Sequence, residues 1–164
     1  MQLGQSMAGV AKLMYAIGRP LRANRELICC RIDLKNAFNE CSKKAILEVL
    51  QAEESLSHLT TFAATILSPD IALETGGERR GEAEDGVVQG DIPSGAFFCV
   101  AQQPALVQLD QVCQQGGGLA RAGYDDVYAV GRPEVVLPAV LEFQQDLTTR
   151  CGLILQCMLW GGPK

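Results

Sequence analysis

The stretch AGYDDVYAVG, residues 122–131, decides how the rest of the chain is read. Two adjacent aspartates, Asp125 and Asp126, separate short apolar segments, Leu119 to Tyr124 and Val127 to Val130. Both segments are long enough for strands and too short for helices, so they predict a β-hairpin over 119–131 with the acidic pair at its tip. Neighbouring like charges repel unless water, a cation or hydrogen bonds compensate. A solvated turn and a metal site are both consistent with these ten residues, since aspartate is also common in turns for local hydrogen-bonding reasons.

Outward from the hairpin, Leu27 to Leu34 (LICCRIDL) has the apolar and branched character of a strand, with Asp33 at its C-terminal end. A side chain there reaches solvent while the strand body holds it still. Residues 35–39 (KNAFN) turn the chain, and Ser42 is placed to cap a helix over 43–52 that buries Ile46, Leu47, Val49 and Leu50. A further helix is expected from about Leu56 to Leu67, before Pro69, and a short strand over 71–75 precedes a glycine-rich, charged turn or exposed hairpin. Residues 86–91 (GVVQGD) lead through Pro93 into a long helix with an interior proline, Pro104, where a kink is expected. After the hairpin, a helix over about 134–150 is expected to bury Leu137, Val140, Leu141 and Leu147, and LILQC to form a last strand. Near the N-terminus, Val10, Leu13, Met14 and Ile17 give a helical stripe over 5–17, which Gly18 and Pro20 should end. The element order predicts an α+β fold, one antiparallel or mixed sheet with helices packed mainly on one face.

At 164 residues the chain is sized for a single domain with a real core. Its 14 basic and 19 acidic side chains argue against a protein that holds nucleic acid mainly by neutralising phosphates, although Arg19, Arg22, Arg25, Arg31 and Lys35 are close in sequence. Seven cysteines without a C-x-x-C pair point to an intracellular, reducing compartment and no structural zinc, with Cys29 and Cys99 read as small core side chains. His58 is the single histidine, which excludes His-based triads and is read as a surface or packing residue. No apolar run approaches the roughly 18 to 20 residues of a membrane-spanning helix, and the opening segment resembles neither a secretory nor a mitochondrial leader.

Three carboxylates now stand out: Asp33 at a strand end, and Asp125 with Asp126 at the hairpin tip. If strand and hairpin are neighbours, Asp33 and Asp125 can face each other across the sheet edge and hold two divalent cations about 3.5 to 4 Å apart, with hard oxygen ligands selecting Mg²⁺ or Mn²⁺. These residues resemble the palm domain of reverse transcriptases, particularly those of non-LTR retroelements and group II introns. Asp33 with 35–39 (KNAFN) is similar to the first palm motif, 86–94 (GVVQGDIPS) to the second, and Tyr124, Asp125 and Asp126 to the third, over roughly residues 27–157. The resemblance implies a polymerase palm-like fold and two-metal nucleotidyl transfer to a primer 3′-hydroxyl. It implies metal binding by Asp33, Asp125 and Asp126, and screening of the ribose 2′-hydroxyl by Phe38. Gln89 and Gly90 would support the nucleotide, and charge and position add Lys35 or Arg31 as phosphate contacts.

The sequence departs from the family pattern at three places. Gly123 stands where an aromatic residue usually precedes the aspartate pair, the proline of the second motif is shifted by one to Pro93, and Leu159 stands where relatives carry a lysine that assists pyrophosphate departure. A complete polymerase of this kind adds basic fingers and a helical thumb. Residues 1–26 are therefore read as a helical remnant of the fingers/palm junction, 27–157 as the palm-like domain and 158–164 as a tail or truncation boundary. The implied partners are template-primer and dNTP within a complete polymerase, with a protein partner on the N-terminal helix and no membrane. The alternative function is a catalytically inactive retroelement remnant or interaction protein with a palm fold.

Overall fold

The computed structural model describes residues 7–68, 71–75, 78–83, 85–88 and 90–161. Helix α1 spans Met7–Ala23 and strand β1 Ile28–Lys35; a single turn, α2 (Ala37–Glu40), then leads to α3 (Lys43–Ala52) and, after a short 3-10 turn, to α4 (Thr60–Leu67). Strands β2 (Ile71–Thr75) and β3 (Glu78–Ala83) form a separate two-stranded hairpin. The long helix α5 (Ser94–Gln115) is followed by β4 (Leu119–Gly123), β5 (Asp126–Gly131), α6 (Pro133–Cys151) and β6 (Ile154–Gly161). The main sheet has the order β4-β5-β1-β6, and every neighbouring pair is antiparallel. Of the two sheet types expected, the antiparallel one forms.

Alternation along the strands sorts residues between two faces. Cys30, Ile32 and Leu34 of β1, Val127 and Ala129 of β5, and Ala120 and Ala122 of β4 are buried in one cluster with residues of α2 through α6. Small residues on β4 and β5 let large ones from α5 approach; Phe98, Leu106 and Leu109 are buried there. The opposite face carries Cys29, Arg31 and Asp33 of β1 with Asp126, Tyr128 and Val130 of β5. Helix α1 covers only one end of it, packing Leu13, Ile17 and Leu21 against Leu27, Val130, Cys29 and Tyr128. The other end, toward the hairpin tip, is open.

Several local expectations are revised. Helix α1 runs past Gly18 and through Pro20 to Ala23, because packing of Ile17 and Leu21 outweighs the local breakers. Of its expected stripe, Leu13 and Ile17 are buried while Val10 and Met14 are exposed. Helix α6 starts at Pro133, which suits the first turn of a helix, and buries Val136, Val140, Phe143 and Leu147. Leu137 and Leu141, expected in the core, are 43% and 60% exposed. The stripe is rotated by one position, since α5 meets α6 on the side of Ala139 and Phe143. Residues 158–161, expected in a tail, continue β6 and pair with β1 as far as Gly161 opposite Cys29. Cys29 and Cys99 are half-buried, and among the described residues the buried thiols are Cys30, Cys41, Cys113 and Cys151. Ser42 does cap α3, accepting from the Ala45 N–H at 3.4 Å.

The edge strand β4 is protected by α5. Asp110 accepts from the Ala120 N–H at 2.8 Å and forms an ion pair with Arg121 at 2.9 Å, covering an otherwise open ladder edge.

Candidate functional site

The open end of the sheet is built by three segments distant in sequence. Strand β1 brings Asp33, β5 brings Asp126, and the register sets these two residues directly opposite each other. Asp125 lies in the two-residue loop between Gly123 and Asp126, which are themselves paired. Asp126 is the cross-strand partner, because a two-residue loop leaves Asp125 in the turn and puts Asp126 on the ladder. Tyr124, the first loop residue, has a φ of 58°, the left-handed conformation that a primed hairpin turn places there. On the other side of β1 the register with β6 shifts between Asp33 and Leu34, where Gln156 is the extra residue. Such bulges bend the strand and re-aim the neighbouring side chain.

The first-motif segment leaves β1 through Asn36, whose φ of 47° starts the single turn α2. Phe38 on this turn stacks on Phe98 of α5, with ring centroids 4.6 Å apart, and lies 6.1 Å from the Tyr124 ring. The second-motif segment docks onto α2 through backbone bonds: Gly86 N–H donates to the Cys41 carbonyl at 3.0 Å and Val87 N–H to the Phe38 carbonyl at 2.7 Å. Gly86 has a φ of 94°, and a Cβ there would stand 2.4 Å from the Asn39 carbonyl oxygen. No other residue fits so close a crossing. The three segments thus meet at an open groove of about 420 Å³ lined by Phe38, Gly90, Asp91, Ile92, Ser94, Gly95, Tyr124 and Asp125.

Of the residues singled out from sequence, Phe38, Gly90 and Asp125 line this groove. Asp33 and Asp126 face each other beside it on the sheet. Lys35 is exposed at the end of β1, and Gln89 lies outside the described residues.

Arg31 stands two residues before Asp33 on the same face. Its Nε and Nη2 donate to Oδ1 of Asp126 at 3.0 and 2.8 Å. This bond, with the charges of Asp126, Tyr128 and Asp33, holds the guanidinium pKa above its ordinary value. Burial pushes the Tyr128 phenol up, and the Asp126 carboxylate adds to that rise.

Two positioning residues escape a motif-based reading. Gln102 of α5 is fully buried and donates from Nε2 to the Tyr124 carbonyl at 2.8 Å, tying the hairpin turn to the helix beneath it. The signal was present, because Phe98, Gln102, Ala105 and Leu109 follow the helical repeat and put a polar amide in an apolar stripe. Gly95 is the second. A Cβ there would stand 2.8 Å from Cε1 of Tyr124, so the start of α5 accommodates the ring only because the position is bare.

Among the described residues, no group of three or more His, Cys, Asp or Glu stands close enough to hold a metal ion. The donor chemistry of Asp33, Asp125 and Asp126 nevertheless fits Mg²⁺ or Mn²⁺. These hard cations are commonly bound by one or two carboxylates, with the remaining positions filled by water and substrate phosphates. No helix among the described residues is long and apolar enough to cross a membrane.

Fold and site together define an α+β protein with an acidic hairpin tip at the open end of an antiparallel sheet. Among solved structures, the chain is similar in fold to telomerase. Apo telomerase from Candida tropicalis matches with a TM-score of 0.70 at 13% identity, covering 97% of this chain and 33% of that one. The same enzyme truncated from its C-terminal domain gives 0.68 at 14% identity, covering 97% and 36%. Telomerase from Candida albicans, in complex with a fragment of telomeric RNA, gives 0.68 at 13% identity, covering 97% and 32%. At such identities the shared property is the fold, and the chain spans about a third of the length of these telomerase chains. No protein-family model and no curated protein sequence matches it.

Proposed function

We propose that this chain is the palm portion of an RNA-directed DNA polymerase, acting in nucleotidyl transfer to a primer 3′-hydroxyl. The observation that carries the reading is the cross-strand pairing of Asp33 with Asp126 beside a groove lined by Phe38 and Asp125. The telomerase-like fold supports it. In this reading Asp33 and Asp125 hold the divalent cations and Asp126 supports them. Two bound Mg²⁺ or Mn²⁺ ions supply activation of the attacking hydroxyl and stabilisation of the leaving pyrophosphate. Phe38, braced from behind by Phe98, bounds the groove on the side where a nucleotide sugar would lie. Gly90 lines the same groove, and with Gln89 supports the base and template; Lys35 faces the phosphates. Template-primer and dNTP are the partners of the complete polymerase, and α1, with Val10, Met14 and Tyr15 exposed, offers a surface to further protein.

A second reading is a catalytically inactive remnant that keeps the palm fold as a scaffold. It draws on Leu159 in place of the family's lysine and on the engagement of Asp126 by Arg31. The two readings separate in a calorimetric titration of Mn²⁺, alone and with dNTP, into the protein and into an Asp125→Asn, Asp126→Asn double variant. Binding at millimolar or tighter concentration, strengthened by dNTP and lost in the variant, is expected for the polymerase reading. Equal heats from the two folded proteins overturn it and leave the scaffold.

A further inference from the structure

Asp33 and Asp126 are like charges in directly opposed positions of an antiparallel pair, an arrangement that is destabilising on its own. The compensating charge on this face is Arg31. Two of its donors converge on a single oxygen, Oδ1 of Asp126, and Asp33 stands two residues further along the same face of β1. A guanidinium does not give up its proton in a protein, so Arg31 can be moved aside but not neutralised.

Resting on the metal-binding reading above, we propose that Arg31 is the counter-ion of the acidic row in the metal-free protein and competes with the divalent cation for Asp126. Arg31 holds Oδ1 of Asp126 at 2.8 and 3.0 Å, so a divalent ion that takes Asp126 as ligand shares one carboxylate with the guanidinium. The two cations then repel each other across that carboxylate, which weakens the binding of both. Arg31 thereby stabilises the metal-free sheet end and weakens its affinity for metal. These two consequences have opposite signs for one substitution, which distinguishes the proposal from an ordinary structural ion pair.

The test is a Mn²⁺ titration by calorimetry, with thermal unfolding in the presence and absence of Mn²⁺, on the wild type, Arg31→Gln, Arg31→Lys and Asp33→Asn. Arg31→Gln should unfold at a lower temperature without metal and bind Mn²⁺ about fivefold more tightly at low salt, the gain shrinking as salt screens the charge. Arg31→Lys keeps the charge and loses the planar fork, so its affinity should fall between the two, a gain that can be read even where the glutamine variant folds poorly. Mn²⁺ binding that Asp33→Asn abolishes, but that is no tighter in either Arg31 variant, overturns the competition and leaves the metal site standing. No binding by the folded wild type or by the Arg31 variants overturns both.

Discussion

The two faces of the main sheet are made by the same strands and obey opposite rules. On β1, Cys30, Ile32 and Leu34 are buried under α5 and α6, while Arg31 and Asp33, one step away in sequence, stand on the opposite face. On β5, Val127 and Ala129 belong to the core, and Asp126 faces Asp33. The buried face sets where the strands lie; the charged face depends on that placement and contributes little to it. Alternation with a period of two lets one eight-residue strand do both, because every side chain that anchors the sheet leaves its neighbour free to reach the other side.

The sharpest contrast is expected at Ile32. Ile32→Ala should destabilise the protein by about 2–5 kcal/mol, through lost burial and a cavity beneath α5, measured by urea unfolding. A cost below about 1 kcal/mol would mean that the buried face does not govern the strand's position. Gln102 joins the two regions, since it sits in the core and holds the turn that carries Asp125. Gln102→Leu should cost about 1–3 kcal/mol by leaving the Tyr124 carbonyl without its donor, and should broaden the NMR signals of residues 123–126. An unchanged stability and spectrum would separate the tip from the helix below it.

The third effect is nil at neutral pH and grows with alkalinity. Burial pushes the thiols of Cys30, Cys41 and Cys113 up to about 12 from an ordinary value of 9.0. A raised folded-state pKa means that, above about 9, the unfolded chain releases protons the folded chain keeps, so stability is full below that pH and falls as pH rises toward 12. A urea midpoint that drops over this window checks the sign. Replacing Cys30, Cys41 and Cys113 by alanine should flatten the profile, and a profile that stays equally steep would assign the alkaline loss to other groups.

Much of this architecture was legible from local patterns. The hairpin followed from two short apolar runs about an acidic pair, β1 from its branched residues, and the cap of α3 from Ser42. These are signals of nearest neighbours, and nearest neighbours decide them. The misjudged elements are those where distant packing overrode the local signal. Helix α1 continues through Pro20 because Ile17 and Leu21 have a sheet end to cover. Leu137 and Leu141 read as core and face outward because α5 docks against a different side of α6. Residues 158–161 look like a tail until β1 supplies a ladder for them to join.

The same division holds at the site. By itself the sequence determined which side chains are available there: Asp33 at a strand end, Asp125 and Asp126 at a turn, Phe38 just after the first strand. Each of these depends on residues within a few positions. Only the tertiary structure decided that Asp126 rather than Asp125 opposes Asp33, that Arg31 holds it, and that Gln102 fastens the turn. Strand register and helix docking are set by burial summed over the whole core, and no short stretch of the chain contains that sum.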